Sequence, residues 1–152
     1  MIPATETDLA YIAGIIDGEG CIMITERSRP PTRRCKTPSF IVSVAVSMTD
    51  KESVDFIGAR FKGRIYQFKA MERKYKYYRF SASCKNEVTA LLVAIQPYIK
   101  VKSVQVKLAL KFCNSPSFTG GWGQEVPEEE VAVRRHIASE ISYLNQGGLK
   151  LS

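Results

Sequence analysis

The sequence predicts an α+β fold in which a four-stranded, mostly antiparallel sheet is backed by helices. Apolar residues recur at helical spacing in five segments and alternate in four others, in the order α-β-β-α-β-β-α-α-α. Two αββ units in succession place four strands in one sheet with helices behind it. The 152 residues are 45% hydrophobic and 24% charged, which is typical of one soluble globular domain, 1–152.

The elements are predicted from their start and stop signals. The first helix begins at an N-cap, Thr7, and ends at Gly18 and Gly20. Strands are predicted over Cys21–Thr25, Ser39–Met48, Arg64–Lys69 and Tyr75–Ser83, with a charged turn at 72–74 between the last two. Further helices are predicted over Asp50–Phe61, from Asn86 to Pro97, over Ser103–Phe112, and from Pro127 to Gly147, after a glycine-rich loop at 115–123.

Positive charge is concentrated in the middle of the chain. The 22 Lys and Arg residues against 15 Asp and Glu give a net charge of +7. Residues 1–20 hold acids only, residues 21–85 hold 15 bases and five acids, and residues 86–152 are nearly balanced. This distribution is typical of a face that binds a polyanion, and by itself it suits DNA, RNA or an acidic membrane.

Membrane spans and zinc sites are disfavoured by the sequence. No apolar run approaches the roughly 18 residues of a membrane span, and the N-terminus lacks the pattern of a secretory signal. The four cysteines form no CxxC pair and the chain has one histidine, so a zinc site has few candidate ligands. We expect free thiols in a reducing, intracellular compartment, either an organelle or a prokaryotic cytoplasm, and no membrane partner.

The segment from Leu9 to Gly20, LAYIAGIIDGEG, carries the most specific pattern. Small residues at i, i+3, i+4 and i+7 form a stripe that would let another helix approach closely: Ala10, Ala13, Gly14 and Asp17. Two acids, Asp17 and Glu19, lie at the end of this helix, where the macrodipole disfavours negative charge unless a cation is held. By composition alone, an amphipathic helix with a glycine C-cap accounts for the same segment.

YIAGIIDGEG resembles the LAGLIDADG motif of homing endonucleases, and the element order is similar to the αββαββα core of that family over about residues 7–113. Residues 96–102, QPYIKVK, resemble a second family segment that follows the third helix. The motif occurs once, as in the homodimeric members. The resemblance implies Mg²⁺-dependent cleavage of a long, nearly palindromic double-stranded DNA by a homodimer, with Mn²⁺ or Ca²⁺ able to substitute in binding and no small-molecule cofactor.

The resemblance also implies roles for single residues. Glu19 and the Gly18 carbonyl correspond to the metal ligands. Lys102, assisted by Lys100, corresponds to the basic residue that stabilises negative charge developing on the phosphate. The stripe Ala10, Ala13, Gly14 and Asp17 corresponds to the dimer interface, with Asp17 capping the partner's motif helix.

The sequence departs from the family pattern at two positions. Met48 stands where the family has a polar residue that positions water, and Glu52 stands where the family has a basic residue. Ser47, Thr49 and Asp50 are the neighbours that could position the water instead.

Alternating strand residues are the candidates for DNA contact, because one face of the sheet is left free by the helices. A solvated strand position explains any one of them equally well. The candidates are Thr25, Arg27, Arg29, Ser43, Arg64, Tyr66, Lys69, Lys76, Tyr77 and Arg79, with Arg33, Arg34 and Lys36 in a loop over the target.

Two other functions remain open from the sequence. The first is a protein of the same family without nuclease activity, either an intron maturase or a DNA-binding regulator. The second is an unrelated basic α+β module that binds RNA by stacking on its tyrosines.

Overall fold

The computed structural model describes residues 1–32, 37–69, 75–115 and 125–147. These residues form helices and strands in the predicted order, α-β-β-α-β-β-α-α-α. The helices are α1 (Glu6–Glu19), α2 (Lys51–Gly58), α3 (Lys85–Ile95), α4 (Ser103–Asn114) and α5 (Glu128–Asn145), and the strands are β1 (Gly20–Arg27), β2 (Ser39–Met48), β3 (Arg64–Lys69) and β4 (Lys76–Ala82). The predicted bounds of β2 and β3 are confirmed. The predicted turn at 72–74 and nearly all of the loop at 115–123 lie outside the described residues. Within the described ranges, no helix is both long and apolar enough to cross a membrane.

The N-cap of helix α1 is Thr5 and not the predicted Thr7. The Thr5 hydroxyl accepts the Asp8 N–H at 3.2 Å, and the Asp8 carboxylate accepts the Thr5 N–H at 3.1 Å. This capping box needs an acid three residues after the cap, and only Thr5 has one. The Arg60 guanidinium also donates to Asp8 at 3.0 Å, which ties the start of α1 to the end of α2.

The four strands form one antiparallel sheet, as predicted, and their order in the sheet is β1-β2-β4-β3. Alternate residues along the strands are buried against the helices and form the apolar core with them. On β2 the buried members of this set are Val42, Val44 and Val46. The other residues of each strand lie on the opposite side of the sheet, which we call the open face.

Helix α5 covers the edge of the sheet at β1. The Asn145 side-chain amide donates to the Ile22 carbonyl at 2.8 Å, and the Arg135 guanidinium binds both oxygens of Glu26. Covering an edge strand in this way removes a site at which another chain could pair.

Two glycines close to Phe80 provide a test of the packing. A Cβ at Gly63 would lie 2.5 Å from the fully buried Phe80 ring and 2.9 Å from the Ser81 carbonyl. A Cβ at Gly58 would lie 2.6 Å from the flexible end of the Ile65 side chain and at an ordinary contact distance, 3.9 Å, from the Phe80 ring. We expect Gly63→Ala to lower the free energy of unfolding by about 1–3 kcal/mol because of overpacking. Gly58→Ala, in a helix, should change it by less than about 1 kcal/mol. Urea unfolding of both variants measures the difference, and equal effects would contradict this account.

Candidate active site

The end of α1 is joined to the turn before α4 by hydrogen bonds in both directions. The Asp17 carboxylate accepts three consecutive backbone N–H groups, from Lys100 at 2.7 Å, Val101 at 3.1 Å and Lys102 at 2.9 Å. The Lys102 ammonium donates back to the carbonyl of Ile16 at 3.0 Å and to that of Asp17. We call this set of contacts the clasp. It places a cation at the C-terminus of α1, where the macrodipole favours one.

The clasp lowers the pKa of Asp17. Burial of the carboxyl raises the pKa, but hydrogen bonds from the three backbone N–H groups and the charge of Lys102 outweigh it, and the net shift is downward. Successive N–H groups that converge on one acceptor form an anion-binding concavity. Asp17 is therefore held ionised by its own chain.

Two expectations about Asp17 and Lys102 change as a result. Asp17 was predicted to cap the partner's motif helix, but both of its oxygens accept hydrogen bonds within its own chain, from residues 83–85 positions away. Lys102 was expected only to act on a phosphate, and it also binds the α1 carbonyls. The sequence could not predict these contacts, because local periodicity carries no information on residues that lie so far apart in the chain.

Glu19 takes no part in the clasp. Its side chain is exposed, and no hydrogen bond or ion pair to a described residue engages it. Gly18 is also exposed, and its carbonyl belongs to the last turn of α1, where carbonyls lack partners within the helix. A carboxylate and a carbonyl are hard oxygen donors of the kind that Mg²⁺ prefers. Among the described residues no group of three or more His, Cys, Asp or Glu could hold a metal.

The exposed stripe of α1 differs from the predicted one, since it lacks Ala13 and Asp17 and gains Gly18. Ala10, Gly14 and Gly18 are exposed at intervals of four residues, and a Cβ built at Gly14 or Gly18 would meet nothing within 4 Å. Ala13 is 0% exposed and packs in the core with Ile16, so its assignment to an interface was wrong. Ala13 lies three residues before Ile16 and therefore shares with it the helix face that meets the sheet. Gly18 belongs to the exposed stripe instead.

The open face carries most of the predicted DNA-contacting residues. The register of the sheet places seven of them there: Thr25, Arg27, Ser43, Arg64, Tyr66, Tyr77 and Arg79. Arg29 is exposed just beyond the end of β1, and Lys100 is exposed beside the clasp. Arg33, Arg34 and Lys36 lie outside the described residues.

Lys69 and Lys76 are not on the open face. They are cross-strand partners at the far end of the β3–β4 pair. On β3, Lys69 is an odd number of residues from the open-face residue Arg64, and on β4, Lys76 is next to the open-face residue Tyr77. Because side chains alternate along a strand, both project from the side of the helices, although both are exposed.

The register also brings a polar row next to Glu19. Gly20, the residue after Glu19, pairs with Val46. The next residue of β2, Ser47, is exposed and pairs with Arg79, which in turn pairs with Tyr66. Ser47, Arg79 and Tyr66 therefore cross the open face at the level of Glu19.

Ser47 is the best placed of the residues considered in place of Met48. Met48 lies on the core side of β2 and packs against the core. Asp50 caps α2 by accepting the Ser53 N–H at 2.9 Å and the Ser53 hydroxyl, and these hydrogen bonds lower its pKa. Thr49 is exposed between β2 and α2.

No protein-family model and no curated relative matches this sequence. The structure resembles solved homing endonucleases. The chain is 20% identical to I-CvuI in complex with the I-CreI target, with a TM-score of 0.69 over 91% of this chain and 82% of that one. For the I-LtrWI LAGLIDADG homing endonuclease bound to target DNA, the identity is 15% and the TM-score 0.68, over 92% of this chain and 46% of that one. For the archaeal intron-encoded I-Vdi141I complexed with DNA, the values are 14% and 0.55, over 93% and 98%. The chain therefore has the LAGLIDADG homing endonuclease fold, as the motif predicted.

The clasp can be tested through stability. In Asp17→Asn the amide nitrogen would face backbone N–H groups, and we expect the free energy of unfolding at pH 7 to fall by about 1–3 kcal/mol. Since the pKa of Asp17 is lowered from 3.8, its contribution is present above that pH and lost as the pH falls through the folded-state pKa. The difference between wild type and variant in urea unfolding should therefore shrink towards pH 3.

Asp55→Asn is the matched control, because the Asp55 ion pair with Lys51 is exposed and such pairs contribute about 0–1 kcal/mol. A loss as large as that of Asp17→Asn, or a difference independent of pH, would contradict the role given to the clasp.

Proposed function

We propose that this chain is a site-specific endonuclease that hydrolyses both strands of a long, nearly palindromic DNA duplex as a homodimer, with a divalent metal. The observation that carries the proposal is the Glu19 carboxylate at the end of α1, which is exposed and has no hydrogen-bond or ion-pair partner among the described residues. It lies between an exposed stripe of small residues and an open sheet face bearing arginines. The likeness to homing endonucleases solved in complex with DNA supports it.

A second copy of the chain completes the site. Ala10, Gly14 and Gly18 present a helix surface on which the α1 of another copy can pack closely. A two-fold axis along this stripe places both Glu19 residues near the axis, so that dimerisation assembles the ligand set that one chain lacks. The share of I-LtrWI that this chain matches, 46%, supports the idea that two copies supply what one longer chain contains.

Each residue of the site has a chemical task. Mg²⁺ held by Glu19 and the Gly18 carbonyl would activate water and offset negative charge on the phosphate. Lys102 uses its ammonium to bind two carbonyls of α1, which leaves one of its three N–H groups for a phosphate oxygen. Lys100, exposed beside it, adds positive charge, and the Ser47 hydroxyl orients the attacking water.

The open face binds the duplex. Arg27, Arg64 and Arg79 provide positive charge for phosphates and donors for guanine edges, and the hydroxyls of Thr25, Ser43, Tyr66 and Tyr77 add polar contacts. Arg29 and the loop residues Arg33, Arg34 and Lys36 extend the basic surface. Binding that depends on phosphates weakens steeply as salt rises.

Glu19→Gln tests the chemistry. The amide keeps the size of the side chain but is a poor metal ligand, so we expect DNA binding within a few-fold of wild type and cleavage reduced at least about a hundredfold. The substrate is a duplex selected from a randomised library by binding to the wild type with Ca²⁺, and Mg²⁺-dependent strand scission is then measured on gels. Glu129→Gln, an exposed acid of α5, is the control and should cut normally. Full cleavage by Glu19→Gln would overturn the proposal, while wild-type binding without any cleavage would favour a DNA-binding regulator or maturase.

Gly14→Leu tests the dimer. Because a Cβ at Gly14 meets nothing within 4 Å, the monomer should fold normally and gain helix propensity, but the leucine keeps two α1 helices apart. We expect wild type to sediment as a dimer and Gly14→Leu as a folded, inactive monomer in analytical ultracentrifugation. Ala132→Leu, which adds the same side chain to an exposed position of α5, should remain dimeric. A stable, active Gly14→Leu dimer would contradict the interface.

A further inference from the structure

Three aromatic rings cover one end of the open face. Phe68 and Tyr77 are cross-strand partners, with ring centroids 5.1 Å apart and planes 17° from parallel. Tyr66 lies on the same side of β3, with its centroid 6.0 Å from that of Phe68. We call Tyr66, Phe68 and Tyr77 the aromatic patch.

The core of the fold does not account for this patch. All six residues of β3 are exposed, and Tyr66 and Phe68 retain 40% and 38% of their surface. The buried core cluster extends on the other side of the sheet, around Phe80. Exposed rings side by side are costly in water, so their presence on the open face indicates a contact with a ligand.

The patch continues a basic surface and differs from it in chemistry. Moving outward along β3 and β4, the cross-strand pairs are Arg64 with Ser81, Tyr66 with Arg79, and Phe68 with Tyr77. The first two pairs offer hydrogen-bond donors for phosphates and base edges. The Phe68 ring offers neither donor nor acceptor, so it distinguishes bases only through an apolar group.

In the major groove of DNA the apolar group is the 5-methyl of thymine, which aliphatic and aromatic side chains contact. We infer that the aromatic patch recognises thymine: Phe68, supported by Tyr66 and Tyr77, packs against the 5-methyl group at one or two positions of each half-site. The inference rests on the proposed function, because it takes the open face as the surface that enters the major groove. It adds a sequence preference that the arginines alone do not explain.

Deoxyuridine provides the test, because it pairs as thymine does and lacks only the methyl group. The selected duplex is resynthesised with deoxyuridine in place of one thymine at a time, and Kd is measured with Ca²⁺. We expect Kd to rise about fourfold at one or two positions of each half-site, the value for one buried methyl-sized group. Equal binding of thymine and deoxyuridine duplexes at every position overturns the inference and leaves the proposed endonuclease intact.

Variants assign the effect to the patch. In Phe68→Ala the deoxyuridine effect should fall below about 1.5-fold at those positions, and in Phe68→Leu part of it should remain. Gln67→Ala, on the same strand but on the other side of the sheet, should keep the full effect. An undiminished effect in folded Phe68→Leu and Phe68→Ala means that Phe68 only stabilises the β3–β4 pair, and it overturns the inference. If no duplex from the library is bound, the proposed function itself fails.

Discussion

The clasp between the end of α1 and the turn before α4 is the contact on which the rest of the site depends. The Asp17 carboxylate accepts hydrogen bonds from three backbone N–H groups, and the Lys102 ammonium donates to two carbonyls of α1. Negative charge at the C-terminus of a helix is unfavourable by itself, and these partners make it stable. With Asp17 engaged in the clasp, Lys102 is held against the last turn of α1, and Glu19 is left exposed at the end of the helix.

The helical period then divides the motif into three surfaces. Ala13 and Ile16 enter the core, Ala10, Gly14 and Gly18 remain on the outside, and the acids take the end of the helix. Gly20 has a separate requirement, since a Cβ there would lie 2.6 Å from the Ile16 carbonyl oxygen. The motif thus requires glycine for two different reasons. Gly20 is required by the fold of one chain, whereas Gly14 and Gly18 are required, in the proposed dimer, for close contact with a second copy.

The side chains on the open face of the sheet change in type with distance from Glu19, from polar and basic to aromatic. Because β1 follows α1 without a loop, its register fixes which residues lie level with Glu19, and these are Ser47, Arg79 and Tyr66. The arginines of β3 and β4 suit phosphates and guanine edges, while the stacked Phe68 and Tyr77 suit an apolar group. In the proposed nuclease, cleavage and recognition are therefore adjacent parts of one continuous surface.

The sequence by itself determined the element order and the α+β class, because these follow from periods of 3.6 and 2 that repeat within short segments. It did not settle every strand face, since Lys69 and Lys76 were predicted as DNA contacts and the register places them on the side of the helices. The same alternation places Phe68 beside Tyr66 on β3, so the aromatic patch could have been found by counting. Only the tertiary structure decided that Thr5 caps α1, that Ala13 is buried, and that Asp17 binds residues 100–102 of its own chain. These outcomes depend on which distant elements pack together, and a local pattern leaves several partners equally acceptable.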